Sequence, residues 1–144
     1  MTDKQHTDLT TYVRTLADML GLKDAVITVG NDQPESEKSM AEMNGVPGRN
    51  IWNVYIGEAV FWEQSVDVQR ECIVHELLHC HTLPILYPVR EDAYENRLLS
   101  YQEYRLLHDT MHRQMELATD GIAHAIACHF PLPEWGTESE KSDA

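Results

Sequence analysis

The sequence predicts an α+β domain: an N-terminal helix and a small, mainly antiparallel sheet laid over a buried central helix, with a further helix at the C-terminal end. Three observations carry that expectation. Apolar residues recur at helical spacing in residues 7–20 and again through the proline-free stretch 91–130, while short alternating runs bounded by turn residues fill positions 25–57. Between them, the segment Glu71-Cys72-Ile73-Val74-His75-Glu76-Leu77-Leu78-His79-Cys80-His81 is apolar nearly all round and so belongs inside a core. At 144 residues the chain is long enough for one such core, expected over residues 1–133.

In order, Leu9, Tyr12, Val13, Leu16 and Leu20 share one helical face, with Thr7 or Asp8 available as a cap and Gly21 as a terminator. Residues 25–29 are β-prone, and the polar run 31–39, with Pro34, reads as a loop. Residues 40–46 and 51–57 flank Pro47-Gly48-Arg49-Asn50, whose Pro-Gly pair suits a type II turn, so the two runs form a hairpin with Trp52, Val54 and Ile56 on its core face. Val60-Phe61-Trp62 is an apolar cluster that covers the central helix, which starts at Ser65 or Asp67 and is ended by Pro84 and Pro88. A single helix over 91–130 would be about 60 Å long, so a break is expected near Ser100. Residues 134–144 are polar and acidic and read as a disordered tail.

Eleven Lys plus Arg stand against 24 Asp plus Glu, a net charge of −13. Such a chain repels a phosphate backbone and an anionic membrane surface, which argues against nucleic acid and membrane as partners. No stretch approaches 18 apolar residues and the N-terminus has no apolar signal core. Cys72, Cys80 and Cys128 make neither an even framework nor a CxxC pair, which fits a reducing, cytoplasmic compartment.

The chemistry is concentrated in His75-Glu76-x-x-His79. Four residues on a helix amount to about 40° of rotation and about 6 Å of rise, so His75 and His79 share a face and can close on one metal ion. Glu76 stands about 100° round from His75, at the flank, where a carboxylate can take a proton from a metal-bound water without being a ligand. Cys80 and His81 point away from that face, as a core thiol and a helix-end histidine. The downstream helix supplies a third ligand in Glu116, and Asp120, one turn on, can accept the free ring N–H of a ligating histidine. His108, His112, Glu116, Asp120 and His124 form a four-residue ladder drifting about 40° per step, so only its central members can face one ion. His112, one turn before Glu116, could contact substrate or stabilise an oxyanion, a role Tyr101 and Tyr104 could also fill.

HExxH followed on a later helix by ExxxD resembles the pattern of the gluzincin metallopeptidases, the thermolysin-like branch of the zincins. The run ELATDGIAHAIACHFPLP from Glu116 to Pro133 is also similar to the closing segment of the small ImmA/IrrE-type zincins. The chain differs from the latter at Leu78, where a glycine is usual, and in a longer gap between the two helices. The resemblance implies a compact zincin-like fold, Zn²⁺ held by His75, His79 and Glu116, Glu76 as the catalytic base, and peptide-bond hydrolysis. It also implies that residues 51–57 could form a sheet edge pairing with extended substrate; as an inner strand they would have no such role. Small zincins of this kind are associated with repressor proteins, so a regulatory protein partner is expected beside a peptide or protein substrate.

Two other functions share the motif. A zincin-fold module could hold the metal and dock to a partner with little turnover, and two histidines with one carboxylate are also the facial triad of non-haem Fe(II) oxygenases. Glu76 directly after the first histidine favours hydrolysis, since an oxygenase has no use for a base there.

Overall fold

A computed structural model describes residues 1–135, apart from the side chains of residues 91 and 92. The first helix, α1 (Asp3–Met19), begins a turn earlier than apolar spacing indicates. Thr2 accepts the Gln5 N–H and the Gln5 side chain answers on the Thr2 N–H, a capping box that satisfies two free donors. Leu9, Tyr12, Val13, Leu16 and Ala17 form its buried face. Gly21, at φ 79°, supplies the left-handed turn that ends it.

Three strands follow: β1 (Val26–Val29), β2 (Ala41–Gly45) and β3 (Ile51–Ile56). β2 and β3 form the expected hairpin, antiparallel with Met43 opposite Val54. The turn closes through Arg49 N–H to Val46 O at 3.0 Å, and Gly48 sits at φ 69°, as the third position of a type II turn requires. Trp52, Val54 and Ile56 face the core as the alternation indicates. One feature differs from expectation. β1 pairs parallel with β3, Val26 opposite Ile51, so the sheet is mixed and not mainly antiparallel. The strand order is β1-β3-β2, so of the two positions open to it β3 takes the inner one, with β1 and β2 at the edges.

After the short helix α2 (Glu58–Phe61), Ser65 caps α3 (Val66–Thr82), which packs against β2 on one side and the C-terminal helix on the other. Ile73, Val74 and Leu77 are wholly buried, as an all-round apolar helix must be. A 3-10 turn at Leu83–Ile85 carries Pro84, and a π-helical turn spans Val89–Glu95. Arg97 follows in the left-handed region, at φ 59°. The next helix, α4 (Tyr101–Ile126), starts with a second capping box, Ser100 with Glu103, at the position where a break is expected. Among the described residues no helix is long and apolar enough to cross a membrane.

The segment expected to be a tail from Glu134 begins with a docked residue. Trp135 lies edge-on to Tyr12, Phe61 and Trp62, and its Nε1–H donates to Gln69 Oε1 at 2.6 Å. Gln69 is itself buried and donates to Phe61 O at 2.9 Å. Residues 136–144 of the expected tail lie outside the described residues. Trp135→Ala removes a half-buried aromatic and leaves a buried acceptor unpaired, which should cost about 2 kcal/mol and lower the melting temperature by about 4–8 °C. An unchanged melting temperature would show that the contact contributes nothing.

Candidate metal centre

α3 brings His75 and His79 to the side that faces α4, and α4 lays Glu116 across from them. His75 Nε2 and His79 Nε2 are 3.0 Å apart, Glu116 Oε2 is 3.5 Å from His75 Nε2, and Glu116 Oε1 is 3.5 Å from His79 Nε2. Among the described residues these three are the group whose ligand atoms converge, all within 4.8 Å of one another. Zinc bonds of 2.0–2.1 Å in a tetrahedron put neighbouring donors about 3.3 Å apart, and the observed separations bracket that value. The set of two imidazoles and one carboxylate therefore fits a metal ion in both composition and spacing.

Hydrogen bonds behind the rings aim the donors. Asp120 Oδ1 lies 2.9 Å from His75 Nδ1, so that nitrogen carries the proton and donates it to the carboxylate, leaving the Nε2 lone pair for the centre. On His79, Nδ1 is 3.5 Å from Thr82 Oγ1, whose own hydroxyl donates to Leu78 O at 3.3 Å. His79 is held neutral: burial first, then the neighbouring His75 and His112, pull its pKa down to about 4. Two ring lone pairs at 3.0 Å, with carboxylate oxygens 3.5 Å from each, repel unless a proton or a cation lies among them. Loss of Asp120 frees the His75 ring to turn, so Asp120→Ala should weaken zinc binding by roughly 10 to 100-fold. Chelator competition checks this, and wild-type affinity would remove Asp120 from the site.

Glu76 projects beside the trio and is 7 % exposed. Burial chiefly, then the charges of Glu116 and Glu42, push its pKa up to about 8, while a hydrogen bond with the Met43 backbone pulls the other way. A cation among the three donors opposes that rise and favours the ionised form.

The site opens into two concavities that meet at Ser39, Ala41, His75, Glu76 and Glu116. One, of about 600 Å³, runs toward Val68, Glu71, Cys72, Ala123 and His124. The other, of about 500 Å³, runs along Glu42, Met43 and Asn44 toward His112. β2, and not β3, forms the wall. Met40 O accepts from the Gly57 N–H just past β3 and the Val46 N–H donates to Ile51 O, so by the alternation of an antiparallel ladder the backbone groups of Ala41 and Met43 point away from β3, toward the cleft, where the Met43 N–H meets the Glu76 carboxylate.

The remaining ladder residues divide. His112 reaches the site, with Nε2 3.5 Å from Glu116 Oε1. His108 stacks on His112 but is turned to Asp109, and His124 pairs with Glu71 at 3.1 Å. Tyr104 stacks on Tyr94, Tyr101 accepts from Arg105, and neither lines the cleft. Cys80 is buried and His81 Nε2 lies 3.1 Å from Leu20 O, both away from the centre. Cys72 and Cys80 are buried free thiols, whereas Cys128 is exposed. Sequence reasoning missed Thr82, three residues after His79 on the same helix, which the spacing used for Asp120 could have found. It also missed the β2 wall. Comparisons of the chain with protein-family models, with curated proteins and with solved structures give no match.

Proposed function

We propose that the protein is a zinc-dependent metallopeptidase. The observation that supports this best is the placing of the Glu76 carboxylate beside the His75, His79 and Glu116 donors, inside a cleft walled by a free strand edge. Those donors would hold a zinc ion, which when bound would supply Lewis acidity toward a peptide carbonyl and lower the pKa of a bound water. His75 and His79 contribute neutral Nε2 donors, oriented by Asp120 and Thr82. Glu116 contributes one negative charge, so the buried site carries one net positive charge and not two. Glu76 accepts the proton of the attacking water and passes it to the leaving amine. His112, at the rim on the β2 side, is placed to donate a ring N–H to the oxygen of the tetrahedral intermediate. Ala41, with its N–H and C=O, and Met43, with its C=O, offer backbone groups that pair with an extended peptide whatever its side chains, while the Met43 N–H is held by Glu76.

A docking module or an Fe(II) oxygenase would use the same three donors, but neither gives Glu76 a task, and a buried carboxylate without one is costly. The free thiols suit a reducing compartment. The test is to reconstitute the protein with zinc and assay peptide and protein digests by mass spectrometry. Cleavage that disappears on chelation and returns with zinc is the expected result, and a zinc-loaded protein that cuts nothing would defeat the proposal.

A further inference from the structure

The cleft is lined unevenly in charge. The β2 side presents Glu35, Glu42, Asn44 and His112, the other half presents Glu71 from α3 with Asp120 and His124 from α4, and among the described residues neither half contains a lysine or an arginine. Glu42 differs from the others because its place on the strand edge is fixed. It pairs with Tyr55 on one side, while its other side along the sheet is bounded by the cleft and not by a strand.

Its carboxylate is also oriented in advance. Oε2 accepts the Glu35 N–H at 2.8 Å and Oε1 accepts from Asn44 Nδ2 at 2.9 Å. Both donors are neutral, and among the described residues no cation is ion-paired with it. A carboxylate has about four lone-pair positions, so two accepted bonds leave capacity for a charged donor. A chain laid along β2 places a side chain directly opposite residue 42 at about 4.5–5.5 Å between Cβ atoms, with diagonal neighbours at about 7–8 Å, within reach of a lysine or arginine stem.

We propose that Glu42 is a specificity-determining residue that selects peptide substrates carrying a lysine or arginine in the segment laid along β2. This rests on the peptidase reading of the same cleft. Glu35 adds a second negative charge on that side, and the acidic lining of the other half focuses the field in the same sense. An acidic side chain in that position meets Glu42 as a like charge and is disfavoured as a basic one is favoured. The two effects together make a lysine-over-glutamate preference of about tenfold at low ionic strength.

The test uses the 144-residue chain loaded with zinc and carrying Glu76→Gln, so that peptides dock without being cut. The probes are fluorescein-labelled ten-residue peptides of Ala, Ser and Leu, identical except for one position that holds Lys or Glu and is moved along the peptide. Anisotropy should show the Lys peptide binding about tenfold more tightly at alternate positions, with the preference shrinking as salt is added. Glu42→Gln should erase the preference and Glu42→Lys should invert it. Equal affinities at every position, no binding by either peptide, or a preference untouched by both Glu42 variants would overturn the proposal. Turnover is read separately with Glu76 intact. Charge-selective docking without cleavage would defeat the peptidase reading and leave Glu42's role standing, whereas cleavage indifferent to Lys or Glu would do the opposite.

Discussion

Replacing Glu76 by Gln is expected to lower kcat/KM for peptide hydrolysis by about 10² to 10⁴-fold while zinc content stays at the wild-type level. The two halves of that result have separate causes. Glu76 follows His75 directly, so it projects about 100° away from the ligand face and stands outside the converged donors. Its removal therefore leaves the three candidate donors whole. The glutamine amide fills the same space and its oxygen can still accept the Met43 backbone N–H, but it cannot take a proton from water. A purely structural Glu76 forecasts a fall in thermal stability on replacement, and the surroundings of the carboxylate argue for the reverse. Its carboxylate is buried and opposed by Glu116 and Glu42, so the neutral amide should leave thermal stability equal or higher. Metal analysis, a cleavage assay and a melting curve on one preparation separate these cases. A variant that keeps more than a tenth of the activity would remove Glu76 from the mechanism.

What is legible in the sequence is whatever local spacing or local stereochemistry determines. The buried character of α3 follows from apolar residues on all its faces, and the Pro47-Gly48 turn from a backbone angle that glycine adopts without strain. The start of α4 at Ser100 follows from length alone. The start of α1 escapes the apolar pattern because its first turn contains no apolar residue, so periodicity begins only at Leu9. There the signal is the capping box of Thr2 and Gln5. Strand order is not legible for a different reason. Alternation in Ile51–Ile56 records which face is buried and carries nothing about lateral neighbours, so β3 reads equally as an edge or an inner strand. Only the four-residue strand β1, pairing parallel on its far side, makes it inner.

The same division holds in the site. His75, Glu76 and His79 are one helical turn of sequence, and the Glu116–Asp120 spacing repeats that logic on α4, so helical geometry is enough to argue their roles. Glu42 and Glu71 border the same cleft without belonging to any motif. Glu42 arrives through the strand edge, and no spacing rule links it to His75, His79 or Glu116; Glu71 lies four residues before His75 on α3, one helical turn away, where the same spacing could have found it.

Glu116→Ala is expected to weaken zinc binding by more than roughly 100-fold, beyond what loss of an outer partner such as Asp120 costs, and His75→Ala and His79→Ala should do the same. His112→Ala should keep zinc affinity within a few-fold and instead lower turnover, by about 10² to 10³ if its N–H is the oxyanion donor. Both residues lie on α4 one turn apart and both approach the centre; spacing favours Glu116, because only then does Asp120 lie one turn from the third donor. Distances agree: Glu116 lies 3.5 Å from the Nε2 of His75 and of His79, while His112 is 3.5 Å from Glu116 and stands outside the group in which all donor atoms converge. Electrostatics favours the same choice. His79 is neutral, and a third neutral imidazole would leave both charges of the ion uncompensated in a buried setting, whereas the Glu116 carboxylate cancels one. Asp120 then has its place a turn away, against His75. Titration against a chromophoric chelator orders the four variants, and zinc retained by Glu116→Ala but lost by His112→Ala would replace the assigned set with three histidines.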